Sequence, residues 1–249
     1  MTSPDPVDMA ALAFLQPQQG SPNPARVESP DEWVETAEGR IAVWRRGAGK
    51  RVLLVHGWAG SHGDLHAFVA PLAAAGCEVI AIDLPAHGMS DGRIASIPDL
   101  ARALLHVAGR YGPLCGVVAH SVGCAAVGVA LRDGLPAPRT VLIAPPARYA
   151  DFASDFARMV GIDPQALLDA LRRRDIDVDG IDFPAMAPRL ASRALIIHSR
   201  DDRVVPYANG EALAAAWPGS GFLSCEGLGH GRILADAAVI EHAVRFLTD

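Results

Sequence analysis

The chain has 249 residues, with 22 Lys plus Arg against 28 Asp plus Glu, giving a formal charge of −6. That balance excludes a nucleic-acid binder held by overall charge. With 50% hydrophobic and 20% charged residues, the composition also excludes global disorder. The length suits one domain, or one domain carrying an inserted module. Cys77, Cys115, Cys124 and Cys225 are scattered without a Cys-x-x-Cys or His/Cys cluster. Neither a disulfide framework nor a metal site is therefore expected, and a reducing cytoplasm fits best. No apolar stretch approaches the roughly 18 residues that span a bilayer, and the N-terminus lacks the basic-then-apolar order of a signal peptide, so no membrane partner is expected.

Prolines at positions 4, 6, 17, 22, 24 and 30 resist both helix and sheet, which marks 1–30 as a flexible N-terminal arm with room for one short helix over 8–15. From Trp33 onward, strand-like and helix-like segments alternate, as in a mostly parallel sheet covered on both faces. Strands over 33–36 and 40–46 flank Glu38-Gly39, a hairpin signal. The unbroken apolar run at 51–56 (RVLLVH) reads as a strand buried on both sides. A helix over 66–75 ends at Gly76, where a left-handed cap belongs. Then come a strand at 78–83, a helix at 97–111, a strand at 114–120, a helix at 121–132 and a strand at 140–144. The rhythm breaks between about 146 and 190, where two helix-like stretches, 151–160 and 164–174, precede a Pro-containing tail (DFPAMAPRL). A helical insert between two core strands suggests a cap over the sheet ends. Alternation resumes with a strand at 194–198, a helix at 207–217, a short strand near 222–225 and a last helix at 235–246.

Ala119-His120-Ser121-Val122-Gly123 follows a buried strand and opens a helix, a context that can expose a Ser hydroxyl on a sharp turn. Ser121 would lie at the positive end of the helix dipole, favourable for a developing oxyanion. The plainer reading is that Ser121 caps its helix. A nucleophilic Ser needs a base, and His230, in the glycine-flanked loop Gly227-Leu228-Gly229-His230-Gly231 after the last strand, is the best placed of nine histidines. A carboxylate at the end of the preceding core strand would orient that imidazole, and Asp201 and Asp202 both qualify.

The order Ser, Asp, His, the elbow pentad, His56-Gly57-Trp58 after a buried strand, and Asp83-Leu84-Pro85-Ala86-His87-Gly88-Met89-Ser90 together make the sequence similar to the α/β-hydrolase superfamily. The likeness covers nearly all of 33–249 except the cap. It implies an α/β-hydrolase fold with a small helical cap. The family pattern H-G-x-x-D-x-x-V-P lands on His198 to Pro206 and selects Asp202, leaving Asp201 second. Ala119, Ala86 and Ser199 stand where the family has Gly, and none of these departures removes a reacting group. The resemblance also implies an oxyanion hole from the backbone N–H groups of Trp58 and Val122.

Bland readings attach to other residues. His56, His87 and His198 occupy loop positions that the fold uses structurally, and His120 points away from Ser121 and packs. Arg172-Arg173-Arg174 reads as a solvated helix face. Cys124 reads as a small core residue. Phe152, Phe156, Met159 and Val160 form an apolar stripe in the cap. Part of that stripe is core, and if it roofs the site then Phe152, Phe156 and the Trp58 indole are candidate substrate contacts.

The reading that follows is a serine hydrolase acting on a carboxylic ester or thioester of a small to medium organic molecule through an acyl-enzyme, with no metal or organic cofactor and no nucleic-acid partner. The same groups also suit C–C bond hydrolysis, lactone opening or perhydrolysis. A non-catalytic ligand-binding relative is the alternative of another class.

Overall fold

The computed structural model describes residues 5–18 and 28–249. Its strands are β1 (Glu32–Thr36), β2 (Gly39–Gly47), β3 (Lys50–Val55), β4 (Cys77–Ile82), β5 (Leu114–His120), β6 (Arg139–Ile143), β7 (Arg193–Ser199) and β8 (Gly221–Cys225). They join in one sheet in the order β1-β2-β4-β3-β5-β6-β7-β8. β2 runs antiparallel to β1 and β4, and the remaining pairings are parallel.

Side-chain alternation along the central strands divides the core. Leu53, Val55, Val117 and Ala119 enter one apolar layer with α3 (Ile97–Tyr111), α4 (Val122–Arg132) and Leu213 of α8 (Tyr207–Ala216). Val52, Leu54 and Val118 enter the opposite layer, with α2 (His66–Ala74) and α9 (Ala237–Thr248). Both faces are covered, so the central strands carry apolar residues at every position rather than alternate ones. The expected α/β-hydrolase architecture is present. Among the described residues, no helix is long and apolar enough to cross a membrane.

The hairpin between β1 and β2 forms one residue earlier than its sequence signal. Thr36 pairs with Gly39, so Ala37 and Glu38 make the turn, and Gly39 takes the positive φ of 108° just after it.

Between β6 and β7 lie α5 (Tyr149–Met159), α6 (Pro164–Arg172) and the short α7 (Phe183–Met186). The tail after α6 is more ordered than its prolines suggested. Asp182 caps α7 by accepting from Ala185 N–H, and the fully buried Phe183 ring fills the space over Gly128 of α4.

The largest departure from expectation is at the N-terminus. The helix anticipated over 8–15 is present as α1 (Pro6–Leu15), but it is docked rather than free. Asp5 caps it, and Ala11, Phe14 and Leu15 are buried. The Phe14 ring lies 5.6 Å from Tyr149, 5.4 Å from Phe152 and 5.3 Å from Phe156. Asp8 accepts from Arg174 at 3.0 Å, and Ala95 N–H donates to Leu15 C=O. A reading of 1–30 as a flexible arm therefore does not describe residues 6–15, because an aromatic cluster of the cap holds them. Positions 19–27 of that arm lie outside the described residues.

Candidate active site

The candidate residues all come from the carboxyl edge of the parallel strands, the usual location of sites in such sheets. Ser121 follows β5 at φ 52°, ψ −127°, a left-handed conformation that costs a non-glycine residue about 1–3 kcal/mol. Close packing sustains it. Ser121 N–H still donates to Ile143 C=O of β6 at 2.9 Å, while Cys124 N–H donates to Ser121 C=O to start α4. A Cβ on Gly123 would run into the His56 and Val55 carbonyl oxygens, which explains the small residue there. One on Gly57 would lie 3.0 Å from Ser121 Cβ, so the His56-Gly57-Trp58 loop abuts the serine directly. Ala119 is fully buried, and its methyl group is accommodated where the family pattern has Gly.

Three residues far apart in sequence converge here. His230 Nε2 is 3.1 Å from Ser121 Oγ, and His230 Nδ1 is 2.7 Å from Asp202 Oδ2. Because a carboxylate only accepts, Nδ1 carries the proton and donates to Asp202, leaving Nε2 to accept from the Ser121 hydroxyl. The Asp202 side chain is fully buried. Its Oδ1 accepts from Val204 N–H at 2.8 Å and Val205 N–H at 2.9 Å, and His198 Nε2 approaches Oδ2 at 3.4 Å. Burial works to raise the Asp202 carboxyl, but the hydrogen bonds from His198, His230 and the two amides outweigh it and hold the group well below the usual carboxylate range. Asp202 thus stays an anion beside the imidazole.

Asp201 does a different job. Its exposed carboxylate accepts from Ser199 Oγ–H and, at 3.1 Å, from Gly229 N–H, one residue before His230. His120 holds the same loop from the other side of the sheet. Its Nε2–H donates to His230 C=O at 3.0 Å, and burial, then His230, push its imidazole down to about 3, so it stays neutral. Sequence reading gave His120 only a packing role. Strand parity, with His120 on the Val118 face and Ser121 continuing the face of Val117 and Ala119, matches the expectation that the two side chains diverge, but carries no signal for the His230 carbonyl. The contact of His198 with Asp202, four residues later, was also missed.

The remaining histidines sit where they support loops. His56 Nδ1 donates to Gly57 C=O at 2.7 Å and its Nε2 accepts from Leu84 N–H at 2.9 Å, tying the Trp58 loop to the segment after β4. That segment turns around buried Asp83, which accepts from His62 N–H, His62 Nδ1–H and Met89 N–H. A Cβ on Gly88 would strike this carboxylate, while Ala86 tolerates φ 63° with its methyl group present. His87 stacks edge-on against Trp58 at 5.1 Å. Among the described residues, neither the Trp58 nor the Val122 amide donates to a protein acceptor.

Cys124 is fully buried, donating to Ala119 C=O, and burial pushes its thiol up. Arg172 and Arg174 are engaged by Asp169, Asp179 and Asp8. Phe152 and Phe156 both pack on Phe14. Phe152 also lines a crevice of about 10 Å³ with Val122, Ala125, Ile97 and Tyr149. Met159 and Val160, at the end of the stripe, are exposed.

Comparison with known proteins identifies the family and the fold. A model of the alpha/beta hydrolase family matches residues 52–243. Among solved structures, an esterase from Exiguobacterium antarcticum superposes with a TM-score of 0.70 at 17% identity, covering 87% of this chain and 99% of that one. A bromoperoxidase from Bacillus anthracis superposes at 0.68 with 19% identity, covering 88% and 99%. A meta-cleavage product hydrolase from Pseudomonas fluorescens gives 0.67 at 16% identity, covering 87% and 97%. At these identities the structures share the fold with this chain.

Proposed function

The chain belongs to the alpha/beta hydrolase family, and from that premise we propose that it is a serine hydrolase cleaving a carboxylic ester or thioester of a small to medium organic molecule. The observation that carries the reading is the relay from Ser121 Oγ through His230 at 3.1 Å to the buried Asp202 carboxylate at 2.7 Å. Ser121 Oγ attacks the carbonyl carbon while His230 Nε2 takes its proton. The carbonyl oxygen, now an anion, accepts from the Trp58 and Val122 amides, each such donor contributing about 3 kcal/mol. His230 returns the proton to the departing alkoxide or thiolate, leaving an acyl group on Ser121. A water molecule then attacks the ester, giving its proton to His230, and the acid leaves as Ser121 recovers its hydrogen. Asp202 keeps the imidazole in the Nδ1–H tautomer and balances its transient charge.

The crevice beside Val122 has room for about one water. With Phe152 on its wall and space for no more than a methyl-sized group, it favours the shortest acyl chain; Phe156 and the Trp58 indole, partly buried against the same apolar layer, are the further candidate substrate contacts.

A p-nitrophenyl acyl series and a fluorophosphonate probe test the proposal. Turnover should be highest for acetate and fall as the acyl chain lengthens, and the probe should label Ser121. Ser121→Ala should abolish labelling and lower kcat by about 10⁴-fold or more. Labelling that survives this substitution would sink the assignment.

A further inference from the structure

The loop bearing His230 is more open than the turn around Ser121, with Leu228 only partly buried against the apolar layer of α2 and α9. Gly227 and Gly229 take positive φ values of 76° and 60°, and Arg232 beyond them is exposed. Besides the His120 contact with the His230 carbonyl, polar contacts to the end of β7 and the segment after it hold the loop. Ser199 Oγ, fully buried, lies 3.3 Å from Leu228 N and 3.2 Å from Gly229 N, accepting from both, and donates its own hydrogen to Asp201 Oδ1. Asp201 Oδ1 accepts from Gly229 N–H as well, and Arg232, 3.8 Å from Asp201 Oδ2, donates to Gly227 C=O. The segment that supplies Asp202 therefore holds the His230 loop twice: once by the Asp202 side chain, and once through the backbone preceding the imidazole.

We infer that Ser199 and Asp201 are positioning residues that set where the His230 ring stands relative to Ser121. Ser199 occupies a position where the family pattern has Gly, so this chain adds a hydroxyl that clamps two amides at once. Asp201, which sequence reading weighed as an acid for the imidazole, acts on the backbone instead. The inference rests on the reading of Ser121, His230 and Asp202 as the reacting groups.

The test compares Asp201→Ala, Asp201→Asn, Ser199→Ala and the Ser199/Asp201 double variant with wild type and Ser121→Ala, using p-nitrophenyl acetate kinetics and the low-field NMR signal of the His230 Nδ1 proton. Displacing the loop by a fraction of an ångström should lower kcat about 10-fold in Asp201→Ala and Ser199→Ala while KM stays within about twofold. Asn retains an acceptor oxygen for Gly229 N–H and Ser199 Oγ–H, so Asp201→Asn should stay near wild-type kcat. The double variant should be no slower than about twice the worse single variant, since both changes release one clamp. The Nδ1 signal should move or broaden in the Ala variants and hold in Asp201→Asn. Wild-type kcat and an unmoved signal in Asp201→Ala and Ser199→Ala would overturn the inference, as would Asp201→Asn behaving like Asp201→Ala. Full turnover by Ser121→Ala would instead remove the catalytic premise, and the NMR signal would still report on the clamp.

Discussion

The turn that carries Ser121 and the cap with its N-terminal helix are held by different means. Around the turn, nearly every neighbour from Val117 to Ala130 is buried, a left-handed serine is sustained by sheet hydrogen bonds, and Gly123 lets two carbonyl oxygens approach the helix. The cap and α1 share a buried ring cluster around Phe14, but their polar links, Asp8 to Arg174 and Arg148 to Asp182, lie near the surface. Exposed pairs of this kind contribute only about 0–1 kcal/mol each. The contrast separates a part of the molecule where small displacements are resisted from one that can change its lining while the sheet stays fixed.

Gly123→Ala strikes the rigid part and should have the largest effect of the three changes considered next. Its methyl group would push the His56 carbonyl, and with it the Trp58 loop, away from Ser121. Activity should fall about 10²-fold, and overpacking of about 1–3 kcal/mol should lower Tm by several degrees. Unchanged kinetics and melting would show that the turn is less constrained than its geometry implies.

Phe14→Ala strikes the cap. It empties the space between Tyr149, Phe152 and Phe156 and should release α1 from them. The expected result is faster limited proteolysis near the N-terminus and a severalfold rise in KM, with kcat held within about threefold. A kcat loss as large as that of Gly123→Ala would erase the distinction between the two regions.

The smallest effect on turnover is expected at His87, which bears on stability in acid. Burial, then His56, pushes the His87 imidazole down to about 4, whereas an unfolded His titrates near about 6.5. Between those values the unfolded chain binds a proton that the folded one does not. The contribution is therefore complete above about 6.5 and shrinks as pH falls, at up to about 1.4 kcal/mol per pH unit. Thermal unfolding of His87→Gln between pH 4 and 7 should show a shallower pH dependence than wild type. Identical slopes would mean that His87 does not stay neutral in the folded protein.

Sequence alone conveyed what local pattern encodes. Apolar runs such as 51–56 gave the buried strands, the break in alternation gave the cap, and the elbow pentad with His230 and Asp202 gave residues that the fold brings within hydrogen-bond reach. What escaped it depends on partners distant in the chain. Nothing near Phe14 announces Tyr149, and nothing near His120 announces the carbonyl of a residue 110 positions later. The choice between Asp201 and Asp202 came from the family pattern and not from strand-end position, where adjacent carboxylates look alike. Burial and the direction of each side chain separate the one that meets the imidazole from the one that meets the backbone.

The docking of α1 bears on how this protein is handled in the laboratory. Starting expression at Glu28 would look like harmless removal of a proline-rich leader, yet it would strip the cover from three aromatic rings of the cap. The shortened protein should be stickier, binding hydrophobic dyes and self-associating at concentrations where the full chain stays dispersed.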